Sequence, residues 1–397
     1  MDFSRLISDK MLGVKASAIR EIFKVAGKPD VISFAGGLPA PESFPVDAIK
    51  EICADILDND PVTALQYGIS EGYAPLKELV LKRVKEKEQI GNANDDIIIV
   101  SGSQQGADLT AKVLLNEGDG VICEEPSFIG CLNTFRTYNA KLYGVPMNDD
   151  GMDLEVLEET LKINPNIKLI YTIPTFQNPS GITSSLAVRQ GMLRLAQKYG
   201  VMILEDNPYG ELRFSGEKVP TIKSMDTTGN VIYLGSFSKV FSPGLRLAYL
   251  ILDKGVMEKF VVGKQATDVH TNVFSQMIVA RYLDKYDIDS SIAKSRELYK
   301  HRCGLMLSCM DEYFPKNVTY TRPDGGIFLW ATMPKGTDSG KLMLEAVERK
   351  VAFVPGSAFM TDIEKPSHCF RLNYSTMSDE KIEKGIKILG ELLSERL

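Results

Sequence analysis

Val231-Ile232-Tyr233-Leu234-Gly235-Ser236-Phe237-Ser238-Lys239-Val240-Phe241-Ser242-Pro243-Gly244-Leu245-Arg246 joins an apolar run to a loop with one lysine, three serine hydroxyls and one arginine. The apolar run reads as a buried strand, so Lys239 falls on a strand-end loop, where open α/β sheets bind ligands. The same alternation extends outward. Short apolar runs at 97–100, 121–123, 169–173, 201–204 and 247–252 are separated by helix-spaced patterns such as 104–115 and 187–199. This predicts an α/β fold: a large domain with a mostly parallel sheet covered by helices. From about 287 the pattern changes to one long helix, then to the apolar runs Gly325-Gly326-Ile327-Phe328-Leu329-Trp330 and Phe370-Arg371-Leu372-Asn373-Tyr374. These predict a smaller α+β domain. The expected division is an N-terminal segment 1–45, which carries a helix over 17–26 and packs on the small domain and the active site, a large domain 46–288 and a small domain 289–397.

At 397 residues the chain exceeds the size at which a single core keeps growing, in keeping with two domains. A formal charge of -6 without basic clusters argues against a nucleic-acid partner. No apolar run approaches the roughly 18 residues of a membrane span. The six cysteines show no metal-ligand spacing and read as reduced thiols, so the expected location is the cytoplasm and no metal is expected.

The loop's chemistry is specific. A lysine amine condenses with an aldehyde, while hydroxyls and a guanidinium suit a phosphate. Pyridoxal 5'-phosphate carries both groups. Asp206 closes the apolar strand at 201–204, where a carboxylate is costly unless a cation faces it, and a protonated pyridine nitrogen is such a cation. Capping of a turn before Pro208 is the alternative. Asn178 and Tyr209 could donate to the cofactor's ring oxygen, with simple packing as the alternative for Tyr209. Phe128 could lie on the ring face or belong to the core. Gly102-Ser103-Gln104 stands between a strand and a helix, a position that serves either as an anion site or as a plain cap. Arg371 lies inside an apolar run, and its charge calls for a partner: a substrate carboxylate or a structural salt bridge.

With these residues in order, the chain resembles the fold-type I pyridoxal-phosphate aminotransferases, in the subgroup of α-aminoadipate, kynurenine and broad aromatic aminotransferases. The motifs Ser-Gly-Ser-Gln-Gln, Gln-Asn-Pro-Ser-Gly, Glu-Asp-Asn-Pro-Tyr, Ser-Phe-Ser-Lys with Pro-Gly-Leu-Arg, and Phe-Arg-Leu-Asn-Tyr carry the likeness over nearly the whole length. The resemblance implies that Lys239 binds the cofactor covalently, that Asp206 partners the ring nitrogen, and that Asn178 and Tyr209 meet the ring oxygen. It further implies that Ser103, Gln104, Ser236, Ser238 and Arg246 bind the phosphate, and that Arg371 takes the substrate carboxylate. By the same likeness Gly37 approaches the substrate, Arg20 meets a distal carboxylate, and Tyr67 reaches the phosphate from the neighbouring subunit of a homodimer. Arg20 is equally an exposed helix residue. Phe128 stands where many members have tyrosine, and Ala248 where glycine is common.

The implied activity is a ping-pong transfer of an amino group from an aromatic or aminoadipate-like L-amino acid to a 2-oxo acid such as 2-oxoglutarate. Lys239 would move the Cα proton, which requires a neutral amine. Elimination, decarboxylation or racemisation with the same cofactor, or an effector-sensing role in a transcriptional regulator, are the alternatives.

Overall fold

The structure is a computed structural model and describes residues 3–12, 14 and 30–397. The helix expected over 17–26, and Arg20 with it, lies outside the described residues.

In chain order the first strand is β1 (Ile32–Ser33). The large sheet follows: β2 (Asp95–Val100), β3 (Gly120–Glu125), β4 (Lys141–Asn148), β5 (Gly151–Met152), β6 (Ile167–Thr172), β7 (Met202–Asn207), β8 (Val231–Ser236) and β9 (Ala248–Asp253). Its spatial order is β2-β9-β8-β7-β6-β3-β4-β5. Neighbours from β8 through β4 run parallel, whereas β9 runs against β8 and β2. The reason lies in the lysine loop: it contains no crossover helix, so the chain re-enters the sheet antiparallel. Strand β4 is absent from the sequence expectation. It lies near the sheet edge with much of its length partly exposed, and Gly144 and Pro146 interrupt its apolar pattern.

Alternate side chains of each strand enter opposite cores, as a two-residue period requires. Ile98, Val100, Leu234 and Leu250 pack with Ala107 and Ala111 of the helix Ser103–Leu114. Ile97, Ile99, Tyr233 and Ile251 pack with Met277 and Ile278 of the helix Val273–Lys285. Helix ends follow their capping residues. Ser185 Oγ accepts the Val188 N–H at 3.2 Å to start Leu186–Tyr199, and Gly200 ends it in the left-handed region.

The small antiparallel sheet contains β10 (Thr319–Tyr320), β11 (Phe328–Thr332), β13 (Val354–Pro355) and β14 (Cys369–Asn373), in the order β10-β11-β14-β13. Strand β1 pairs in parallel with β12 (Val351–Ala352), so the N-terminal segment joins this part of the molecule. Two long helices, Ile288–Tyr313 and Asp379–Arg396, cover the sheet. Gly390 permits their close approach, because a Cβ there would stand 2.4 Å from the Tyr313 carbonyl oxygen.

Candidate active site

The register aligns Asp206 on β7 with Leu234 on β8, so the ends of these strands share one edge of the sheet. At that edge lies a cavity of about 270 Å³. Gly37, Ser103, Gln104, Phe128, Asn178, Asp206, Tyr209, Ser236, Ser238, Lys239, Arg246 and Arg371 all line it. Loops distant in the chain are tied together beneath it: Gln177 Nε2 donates to Glu124 Oε2 at 3.0 Å and to Pro126 O at 2.7 Å.

Asp206 is buried. Its Oδ2 accepts from the Tyr171 hydroxyl at 3.0 Å, while its Oδ1 is buried without a hydrogen-bond partner among the described residues. Burial pushes the carboxyl up to about 7, partly offset by the Tyr171 hydrogen bond and, more weakly, by Lys239, while Glu124 adds to the rise. Lys239 Nζ donates to Gly37 O at 2.5 Å. Burial, together with the neighbouring Arg371 and Arg246 cations, pulls its amine down to about 8. That value makes a usable nucleophile near neutral pH.

The end of the cavity at Gly102 and Arg246 is built from backbone as much as from side chains. Gly102, at φ +84°, turns the chain into the helix Ser103–Leu114, and a Cβ there would stand 2.3 Å from Arg246 Nη2. Only glycine lets the guanidinium lie against this turn. On the opposite loop the Ser238 N–H donates to Ser236 Oγ at 3.1 Å. Gln104 lines the cavity, but its amide nitrogen is engaged elsewhere, donating to Gly130 O at 3.0 Å and to Thr134 Oγ1.

Arg371 comes from β14, the central strand between β11 and β13. Its guanidinium lies over Phe328 at 4.1 Å and Phe359 at 4.9 Å. It donates to Asn178 Oδ1 at 2.8 Å and to Ala35 O at 2.7 Å, and its Nε has no hydrogen-bond partner among the described residues. Burial pulls its pKa down to about 10, and no carboxylate forms an ion pair with it among the described residues. The salt-bridge alternative is thus without support. Asn178 Nδ2 donates to the Tyr209 hydroxyl at 3.4 Å, and Tyr209 meets Phe328 edge-on.

Tyr67 is not in the cavity. It is 82% exposed, with its ring edge-on to His270 at 5.8 Å. Sequence reasoning missed Tyr171 and Phe359. Each reads as an ordinary core aromatic, and nothing local distinguishes it. No cluster of metal-ligand side chains occurs among the described residues, and no described helix is long and apolar enough to cross a membrane.

An unpartnered buried carboxylate oxygen, an amine of lowered pKa and a glycine-arginine turn together fit pyridoxal phosphate. The profile of the family "aminotransferase class I and II" matches residues 29–389. An aromatic-amino-acid aminotransferase of Thermococcus litoralis is 43% identical, over 100% of this chain and 96% of its own length. The solved structure of a kynurenine aminotransferase of Pyrococcus horikoshii superposes with a TM-score of 0.96 at 41% identity, covering 100% of this chain and 98% of that one. That of an α-aminoadipate aminotransferase of Thermus thermophilus, complexed with N-(5'-phosphopyridoxyl)-L-leucine, gives a TM-score of 0.90 at 37% identity, covering 100% and 99%. The chain belongs to the class I and II aminotransferases, enzymes that depend on pyridoxal phosphate and transfer amino groups.

Proposed function

We propose that this enzyme moves the amino group of an aromatic or aminoadipate-like L-amino acid to 2-oxoglutarate, in two successive half-reactions and with broad donor specificity. The three named relatives act on donors of these kinds. The observation that carries the reading is the convergence on one cavity of Lys239, the unpartnered Oδ1 of Asp206 and the unpaired cation of Arg371. The chemistry supplied by bound pyridoxal phosphate is an aldehyde and an electron-withdrawing ring.

In this reading Lys239 holds the aldehyde, and once freed it moves the proton at the donor's Cα. Asp206 keeps the ring nitrogen protonated, while Asn178 and Tyr209 donate to the ring oxygen. Phe128 covers the ring face. Ser103, Gln104, Ser236, Ser238 and Arg246 hold the phosphate. Arg371 and Asn178 orient the substrate carboxylate beside Gly37, and Arg20 receives a distal carboxylate. We further assign a homodimer in which Tyr67 completes the neighbouring subunit's phosphate site, supported by the exposure of its ring. The division at 45 and 288 stands as part of this reading. A cytoplasmic location accords with six free cysteines.

Borohydride reduction of the loaded protein, followed by peptide mapping, tests the assignment: the cofactor mass is expected on the peptide containing Lys239. A donor panel with 2-oxoglutarate, ranked by kcat/KM, tests the substrate class. A cofactor mass on another lysine, or turnover by Lys239→Ala at the wild-type rate, would refute the reading.

A further inference from the structure

A fully buried lysine behind the phosphate loop anchors a network to which the chemistry above gives no part. Lys264, in the helix Lys254–Asp268, is 0% exposed. Its Nζ donates to both carboxylate oxygens of Asp268, at 2.7 and 2.8 Å, and to Gln105 Oε1 at 3.0 Å. Gln105 Nε2 donates to Asp268 Oδ2 at 2.7 Å, and its Oε1 also accepts the Ser101 N–H at 2.7 Å. The Ser101 hydroxyl closes the ring by donating to Asp268 Oδ2 at 3.2 Å. Only the lysine of the pair is fully buried, since the Asp268 side chain keeps 27% of its surface exposed. A buried ammonium is costly unless partners satisfy it, and polar networks of this kind impose a unique arrangement on what they touch.

What the ring touches is the turn Ser101-Gly102-Ser103, the element on which Arg246 lies. The other end of the network leads outward. Asp268 is followed by Val269, held at φ +66°, a conformation that a β-branched residue adopts only when its surroundings enforce it. Next in the chain, His270 Nδ1 donates to Thr271 O at 2.9 Å, which leaves Nε2 to accept the Gly68 N–H at 3.2 Å. The same imidazole packs edge-on against Tyr67. One support, anchored on the buried Lys264, therefore reaches both the turn at the phosphate end of the cavity and the exposed tyrosine.

We propose that Lys264, Asp268 and Gln105 are positioning residues for the phosphate end of the cofactor. They set the Ser101–Ser103 turn and, through Val269 and His270, the loop that presents Tyr67. The proposal rests on the cofactor reading above and assigns these residues no contact with the reacting atoms.

The test separates the phosphate end from the ring end. The full-length protein and its Lys264→Met and Gln105→Leu variants, freed of cofactor, are titrated with pyridoxal 5'-phosphate and with pyridoxal, which lacks the phosphate. The absorbance of the bound form is followed. Both variants are expected to bind the phosphorylated compound about tenfold or more weakly and pyridoxal within about twofold of wild type. A general structural role would weaken both compounds alike, and no role would weaken neither; either result overturns the proposal. Should Lys264→Met fail to fold, Gln105→Leu decides, since it keeps the Lys264–Asp268 pair. Wild-type protein that binds no pyridoxal phosphate would overturn the cofactor reading itself, whereas wild-type binding with unaltered discrimination in the variants overturns the positioning role alone.

Discussion

The Tyr171 hydroxyl occupies one oxygen of Asp206 at 3.0 Å, and the other oxygen of that carboxylate is buried with no hydrogen-bond partner among the described residues. The two oxygens thus have separate tasks. The first fixes the carboxylate's orientation, helped by the edge-on contact of Phe135 with the Tyr171 ring at 5.6 Å. The second is available to a cation entering the cavity. Burial pushes this carboxyl up to about 7. Under the proposed assignment the protonated ring nitrogen of the cofactor would return it to its charged form, so that cofactor binding and the charge of Asp206 would be coupled.

Tyr171→Phe removes that orienting bond without opening a large void. Pyridoxal phosphate is expected to bind roughly tenfold more weakly, consistent with the loss of a hydrogen bond to a charged group worth about 1.5 kcal/mol. Absorbance titration of the cofactor-free protein measures it. An unchanged dissociation constant would show that Asp206 needs no support.

Lys239 sets a pH dependence. Its folded pKa is lowered to about 8, and the neutral amine is the form that attacks an aldehyde. The rate of cofactor capture by the cofactor-free protein should therefore rise with pH, roughly tenfold between pH 7 and pH 9, and level off above. Stopped-flow absorbance gives this profile directly. A midpoint near that of free lysine would mean that burial and the two arginines have no effect on the amine.

Arg371→Lys keeps a positive charge and loses the planar fork. For amino-acid donors kcat/KM is expected to fall by about a hundredfold, as for the loss of one or two charge-assisted bonds. An amine donor without a carboxylate should show little further loss. Equal losses for both kinds of donor would place the role of Arg371 elsewhere.

Arg189 supplies a stability prediction. Fully buried, it donates to the carbonyls of Ser184, Pro220 and Pro174 at 3.0, 3.0 and 2.6 Å and to Thr175 Oγ1 at 2.9 Å. Two of these acceptors bracket the loop that carries Asn178. Arg189→Met leaves the acceptors unpaired and is expected to lower stability by about 3–5 kcal/mol, read as an earlier midpoint in urea. A midpoint within error of wild type would contradict the network's role.

Much of the molecule was legible in the chain. The parallel strands and their helices follow from periodicity, Asp206 and Arg371 each stand out as a charge in an apolar run, and Lys239 stands out as an amine among hydroxyls on a loop that follows an apolar strand. Strand β4, next to the sheet edge, and the direction of β9 were not legible. β4 lacks a run of buried residues, and β9 takes its direction from the length and content of the loop before it.

Composition and spacing were enough to specify a helix-covered sheet with a lysine at one strand end, because turns, caps and alternating burial depend on near neighbours in the chain. The contacts that make this a site were fixed by folding. Lys239 meets Gly37 from 202 residues away, Arg371 settles between Phe328 and Phe359, and Lys264 closes its ring with Gln105. Such pairings depend on strand register and on how whole layers pack, where many weak contacts act together and no short stretch of residues carries the information.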